Sequence, residues 1–324
     1  MICIGTAFYL ASGHAPNLRK SSEKNKLSIY YRCMVVFFAS ARRQYPGAEL
    51  VLFTNTQPID EYLAILQRFD VLIEILPINK IKYVSGELSN SFPGCLFTLD
   101  VINFCSSEEW LAKHESLTLF DSDCIIRKPF QLPKEQISGI KIEYPIDHCV
   151  NGQTRGMLSK ISNDIFGITG EIDYYGGEYY HIPASNLENV SESIFEVYSS
   201  ICNNKEYGNI FTEEHIMSLV YVKYSEILES STSVIKRIWT ANTFNNIENT
   251  DNNISVFHLP AEKERLFTRY FENIMNNHDY FHNHDYFSDT FNYCTKRANP
   301  SFPIKVVNNI KRVVKTVLRI FKNV

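Results

Sequence analysis

The chain has 324 residues, 44% hydrophobic and 21% charged, with a formal net charge of −4; this is ordinary globular composition, enough for one large or two intimately joined domains. A disulfide-stapled scaffold is excluded, because the eight cysteines form no C-x-x-C pair and lie mostly in apolar runs, which reads as buried thiols in a reducing compartment. A membrane-spanning chain is excluded as well, since the best apolar run, residues 34–39, is far too short to cross a bilayer.

Residues 2–8 read as a first strand, so early in the chain that no room is left for a signal peptide. Residues 25–43 follow as a helix with apolar positions at Leu27, Ile29, Tyr30, Met34, Phe37, Phe38 and Ala41, stopped by Pro46-Gly47. Residues 49–54 read as a second strand, 60–69 as a short helix capped by its own Asp60, and 71–76 as a third strand. A helix within 95–114 leads to a fourth strand at 117–120. The order βαβαβαβ predicts a parallel sheet with helices on both faces. Beyond residue 138 the pattern breaks into short apolar runs at 139–144, 164–169 and 174–182, which predict a smaller mixed or antiparallel sheet built on the first half. Helices are expected at 188–202 and 212–227, the second opening on Thr212 as N-cap with Glu213 and Glu214 in its first turn. A strand at 255–258 ends in His258, with Lys263 and Arg265 in the turn after it. Residues 277–287 hold Asn-His-Asp-Tyr-Phe twice and read as a loop.

From Thr290 to Val324 there are eight Lys or Arg and no Asp or Glu, so an acidic body carries a basic tail. On a helical wheel, residues 305–324 place Val306, Val307, Ile310, Val313, Val314, Val317, Leu318, Ile320 and Phe321 on one face, and the charged residues opposite them are all Lys or Arg. That segregation predicts an amphipathic helix over 303–324 lying on an anionic membrane surface. The alternative is a stripe packed on the protein's own core. Nucleic acid is not expected as a partner, because the aromatic interleaving of a stacking platform is missing.

In an open α/β sheet the ligand lies outside the carboxyl ends of the strands. There the fourth strand runs into Asp121-Ser-Asp123, a D-x-D pair suited to hold Mn²⁺ or Mg²⁺ against a diphosphate, or else a solvated turn. The end of the first strand, Thr6, Ala7 and Tyr9, faces the same crevice. His258 offers a further metal ligand or a satisfied strand-end histidine. Glu213 and Glu214 complement a helix dipole or take part in the reaction. The run Tyr174-Tyr-Gly-Gly-Glu-Tyr-Tyr sets Gly176, Gly177 and Glu178 between tyrosine pairs, letting backbone approach a ligand that the rings flank. Neither G-x-G-x-x-G nor a P-loop motif occurs.

Taken together, the N-terminal βαβ half, the strand ending in Asp-Ser-Asp, the glycine-rich strand and the late His with a nearby Lys resemble the GT-A glycosyltransferases over roughly residues 2–265. The resemblance implies an α/β fold, a Rossmann-type mixed sheet flanked by helices, with the basic amphipathic helix appended. It implies one domain over 1–275, with a nucleotide-binding half at 1–130 and an acceptor half at 131–275, then a loop or linker at 276–302. It further implies a metal on Asp121 and Asp123 bridging the phosphates of a nucleotide diphosphate sugar, a UDP-sugar foremost, with the base and ribose at Thr6 to Tyr9. His258 and Lys263 look similar to a third metal ligand and a diphosphate-binding lysine, although the glycine expected between them is absent. Glu213 or Glu214 would be the catalytic carboxylate, and Gly176, Gly177 and Glu178 would bind the acceptor, a glycan or a lipid-linked glycan. The setting implied is bacterial surface polysaccharide synthesis, in the cytoplasm and peripheral on the inner membrane. Two rivals remain: a haloacid-dehalogenase-like phosphatase using the same D-x-D pair, and a membrane-recruited binding protein without catalysis.

Overall fold

The computed structural model describes residues 1–10, 23–88, 94–241, 244–277 and 280–298. Residues 11–22 and the expected amphipathic helix at 303–324 lie outside the described residues. In chain order the first half carries β1 (Ile2–Phe8), α1 (Glu23–Gln44), β2 (Glu49–Thr54), α2 (Asp60–Gln67), β3 (Val71–Ile75), α3 (Phe97–Cys105), α4 (Glu108–Leu111) and β4 (Ser116–Phe120). The second half adds β5 (Cys124–Ile126), β6 (Ile137–Ile142), β7 (Cys149–Val150), β8 (Gln153–Thr154), α5 (Arg155–Phe166), β9 (Tyr174–Pro183), α6 (Ala184–Asn203) and α7 (Glu213–Val222). It ends with β10 (Leu228–Ser230), β11 (Ile235–Arg237), β12 (Thr240–Ala241), β13 (Phe244–Asn245), β14 (Val256–His258), α8 (Leu266–Asn276), α9 (Tyr280–Asn283) and α10 (Tyr286–Ala298).

One seven-stranded mixed sheet, in the order β10-β6-β9-β4-β1-β2-β3, runs through the molecule. β4, β1, β2 and β3 are parallel, as the βαβ alternation predicts, while β9 enters antiparallel to both β4 and β6. The later strands therefore extend the first sheet instead of forming a second one upon it. A separate three-stranded sheet is β11-β14-β5, and β12-β13 and β7-β8 form two-stranded ribbons. Helices cover both faces, and two apolar clusters fill the layers. One lies under α1, α2 and α8, and the other lies under α3, α5, α6 and α7. In α1 every residue from Cys33 to Ala41 is buried, which is why its apolar run is continuous rather than a stripe.

Four local expectations change. Residues 164–169 are not a strand: α5 runs through Phe166, begun by Thr154, whose hydroxyl accepts from the Met157 N–H at 3.1 Å, and ended by Gly167 at φ 66°. A left-handed C-terminal glycine satisfies the last carbonyls of a helix at no steric cost. The N-cap of α2 is Ile59, and Asp60 lies inside the first turn. Tyr175, Tyr179 and Tyr180 flank no ligand, because β9 is a central strand covered on both faces and sends these rings into the core. The duplicated segment is not all loop: α9 lies within it and α10 begins at its end, so that most of the described residues of the expected linker are helical. In its second copy Asp285 accepts from the Ser288 N–H and starts α10, which is fastened by Tyr286 Oη donating to the Ile126 carbonyl at 2.6 Å and Tyr293 Oη donating to Glu262 at 2.7 Å. Among the described residues no helix is long and apolar enough to cross a membrane.

Two buried histidines tie the sheet and α7 to their surroundings. His181 Nε2 donates to the Pro133 carbonyl at 2.6 Å, leaving Nδ1 to accept from Thr118 Oγ1 at 2.9 Å. His215 Nε2 likewise donates to the Val150 carbonyl at 3.0 Å, and Nδ1 accepts from the Thr212 N–H at 3.0 Å in a capping box where His stands for the usual Glu. Burial pushes each imidazole down to about 4, outweighing the hydrogen bonds that favour the charged form. A group depressed below its unfolded value stabilises the fold above that value and loses the contribution as pH falls, here between about 6.5 and 4. His181→Gln or His215→Gln is expected to flatten the acid limb of stability by about 1.4 kcal/mol per pH unit relative to the parent. Urea melts between pH 4.5 and 7 check this, and parallel curves for parent and variants would refute it.

Candidate metal centre

At the carboxyl end of β4 the chain turns through Asp121-Ser-Asp123 and returns at once as β5, the Cys124 N–H donating to the Asp121 carbonyl at 3.0 Å. The pair is pinned from two sides. The Asp121 N–H donates to the Glu178 carbonyl on β9 at 3.0 Å, and the Leu259 N–H beyond β14 donates to the Asp123 carbonyl at 2.9 Å. β14 lies antiparallel to β5 with His258 opposite Cys124, so the strand register itself delivers the imidazole to the two carboxylates. His258 Nε2 stands 3.3 Å from Oδ2 of Asp121 and 3.3 Å from Oδ2 of Asp123. One ligand atom from each of the three residues lies within 4.8 Å of the others, and this is a grouping that can hold a metal ion. Two carboxylate oxygens and an imidazole nitrogen form a donor set that suits Mn²⁺ and, with its preference for oxygen, Mg²⁺.

Asp121 is half-exposed, whereas Asp123 is buried with Lys263 Nζ 2.6 Å from its Oδ2. Burial works against both charges of that pair, but each outweighs it for the other: the Asp123 carboxyl is held well below the usual range and the Lys263 ammonium above its own. Lys263 also lies 5.3 Å over the Tyr30 ring of α1. The turn bearing Lys263 is held by its neighbour Glu262, which receives hydrogen bonds from Thr240 and from Tyr293 of α10. For His258, burial favours the neutral ring, but Asp123 and Glu178 overcome it and raise the group to about 9.

Behind Asp121, Asp123 and His258 lies an ion cluster. Glu178 has no exposed surface, and its Oε1 stands 3.7 Å from His258 Nδ1. Arg237, at the end of β11, grips both oxygens of Glu178, with Nε to Oε1 at 2.9 Å, and its Nη2 reaches Glu214 Oε1 at 2.9 Å. Burial opposes ionisation of Glu178, yet Arg237 and His258 hold it down at about 2. Glu214 also accepts from Tyr174 Oη at 2.6 Å and from the Gly177 N–H at 3.0 Å, so its carboxylate is fully engaged.

Its neighbour differs. Oε2 of Glu213 is buried without a hydrogen-bond partner among the described residues, and burial first, then the charge of Glu214, push the carboxyl up to about 8. Of the two candidates, Glu214 is engaged by three hydrogen bonds, while Glu213 keeps a buried oxygen without a partner among the described residues.

The glycine pair makes room for this arrangement. A Cβ on Gly177 would lie 2.5 Å from Glu213 Oε1, and one on Gly176 would collide with Glu178 and reach 3.0 Å from Arg237. Glycine is needed because the protein's own carboxylates fill the space. Glu178 therefore stands behind His258 and does not face an acceptor. Thr6, Ala7 and Tyr9 lie at and just beyond the end of β1, next to β4 in the sheet. Thr6 is buried with its hydroxyl unpartnered among the described residues, and the half-buried Tyr9 ring packs on Phe97 at 5.4 Å. Sequence reading missed Arg237, whose partners are 59 and 23 residues away in the chain and leave no local signature. The sequence matches no protein-family model and no curated protein.

Proposed function

We propose that the protein is a metal-dependent glycosyltransferase of the GT-A type, moving a sugar from a nucleoside diphosphate sugar, a UDP-sugar foremost, to a glycan or lipid-linked acceptor. The observation that carries this reading is the convergence of Asp121, Asp123, His258 and Lys263 at the carboxyl end of a parallel strand beside the end of β1. Bound by Asp121, Asp123 and His258, a divalent ion would supply positive charge against the leaving diphosphate. Lys263 adds a fixed cation that burial keeps desolvated, where a charge stabilises a developing anion more than it does in water. Thr6, Ala7 and Tyr9 form the ledge for base and ribose. Glu213 orients the acceptor hydroxyl or takes its proton, and a carboxyl near 8 suits proton transfer close to neutral pH. The tail at 303–324 would keep this site at an anionic membrane on the cytoplasmic side, where a lipid-linked glycan of a bacterial surface polysaccharide is extended.

The test is thermal stability of the full chain with Mn²⁺ and each nucleoside diphosphate, alone and together. A ligand that binds only the folded state raises the melting temperature by mass action, so UDP with Mn²⁺ is expected to exceed either alone. No shift with any nucleoside diphosphate would overturn the reading. With a donor identified, Glu213→Gln is expected to lower turnover by about 10²- to 10⁴-fold and to remove the limb of the pH profile that rises through about 8. An unchanged profile would take Glu213 out of the chemistry.

A further inference from the structure

On the far side of α1 from Tyr30, the groove between α1 and α8 opens into a cleft of about 320 Å³ lined by Asn25, Ser28, Ile29, Arg32, Glu264 and Thr268. Asn25, Ser28 and Arg32 recur at helical spacing and share one face of α1. Thr268 lies in the first turn of α8, whose N-terminus has no side-chain cap.

Arg32 is the anomaly. A guanidinium has five donors, yet among the described residues this one makes a single long hydrogen bond, Nη1 to Thr268 Oγ1 at 3.4 Å, and rests 5.6 Å from the centre of the Phe271 ring. Its Nε is buried with no acceptor, and it forms no ion pair among the described residues. A buried donor without an acceptor is costly and rare in folded proteins, and a missing ion or ligand is one of its few explanations. The other arginines that reach into the body show the contrast: Arg237 is saturated by two carboxylates, and Arg42 donates to four backbone carbonyls.

We propose that the α1–α8 cleft is an oxyanion site for a phosphate group, held by the Arg32 fork with the hydroxyls of Ser28 and Thr268. Planar, bidentate donation to tetrahedral oxyanions is what arginine does better than lysine, and the positive end of α8 adds to it. Ser28 Oγ already shares a hydrogen with Tyr62 Oη at 2.6 Å, and as the acceptor in that pair it has its own proton to give. Glu264 lines the same cleft and carries the opposing charge, so it limits how tightly an anion is held. The site is separate from the metal centre and does not rest on the glycosyltransferase reading. Its phosphate comes from a free phosphate or from a lipid headgroup.

The experiment titrates the full chain with inorganic phosphate at constant ionic strength, following thermal stability and heat. It repeats the binding measurement on phosphatidylcholine vesicles with and without phosphatidylglycerol. Saturable phosphate binding is expected. Arg32→Gln is expected to weaken it by about 10- to 100-fold, the effect of a charged hydrogen-bonding group, while Glu264→Gln tightens it. Unchanged circular dichroism and Mn²⁺ affinity in Arg32→Gln establish that its fold is intact. If Arg32→Gln also lowers binding to the anionic vesicles, the phosphate belongs to a headgroup; if only the inorganic phosphate signal falls, it is a free phosphate. Equal phosphate affinity in parent, Arg32→Gln and Glu264→Gln, or no saturable binding by the parent, overturns the proposal.

Discussion

Asp121→Asn is expected to abolish Mn²⁺ binding and to lower turnover by at least about 10²- to 10³-fold, while moving the unfolding free energy by less than about 1 kcal/mol. The asymmetry of the two aspartates dictates this. Asp121 is 49% exposed and its ion-pair partner among the described residues is His258, whereas Asp123 is 2% exposed and is also the partner of Lys263, itself 8% exposed. Asp123→Asn removes the metal as well, but it also strands a buried ammonium, and losing one partner of a buried ion pair costs about 3–5 kcal/mol. The two variants therefore separate metal loss from fold loss. Isothermal titration with Mn²⁺ and urea melts of parent and both variants provide the check. Parental Mn²⁺ affinity in Asp121→Asn would remove the metal centre, and an undiminished melt in Asp123→Asn would mean that Lys263 does not depend on its partner.

The place of the D-x-D pair was legible because it follows a parallel strand of the open sheet, whose strands deliver their carboxyl ends to one edge. His258 instead reaches the pair through the antiparallel pairing of β14 with β5 in the three-stranded sheet, a pairing with no local signal. β1 and β2 have the residue limits expected from their apolar blocks, since each is a largely buried parallel strand. The errors share another origin. Ile165-Phe166-Gly-Ile-Thr reads as a short strand when only its apolar residues are counted, although the Thr154 cap and Gly167 mark the two ends of α5. The direction of β9 has no local signal at all, because its partners are set by the segments that intervene between it and β4 and β6. The tyrosines and glycines of β9 look like ligand-binding residues in isolation. The rings of Tyr175, Tyr179 and Tyr180 fill the core, and the glycines leave room for a charge cluster of which two members, Arg237 and Glu214, arrive from later in the chain. Glu213 and Glu214 are indistinguishable as letters; only the hydrogen-bond count separates them.

Arg237→Met is expected to destabilise the protein by about 3–5 kcal/mol and to weaken Mn²⁺ binding by about 10- to 100-fold, although Arg237 touches none of the metal ligands. The guanidinium neutralises Glu178 and Glu214 together, so its loss leaves two carboxylates in a site with almost no exposed surface. Glu178 then either takes up a proton or moves, and in both cases the ring of His258 loses the carboxylate behind Nδ1 that orients it toward Asp121 and Asp123. Arg237→Lys retains the charge without the fork that spans both carboxylates, and it should recover only part of the stability. Adding Glu178→Gln to Arg237→Met removes one stranded charge. That double variant is expected to regain stability but not metal affinity, because a neutral amide cannot hold an imidazole as a carboxylate does. If the double variant regained both, Glu178 would serve the fold alone; if Arg237→Met melted like the parent, the cluster would contribute nothing that neighbouring polar groups do not supply.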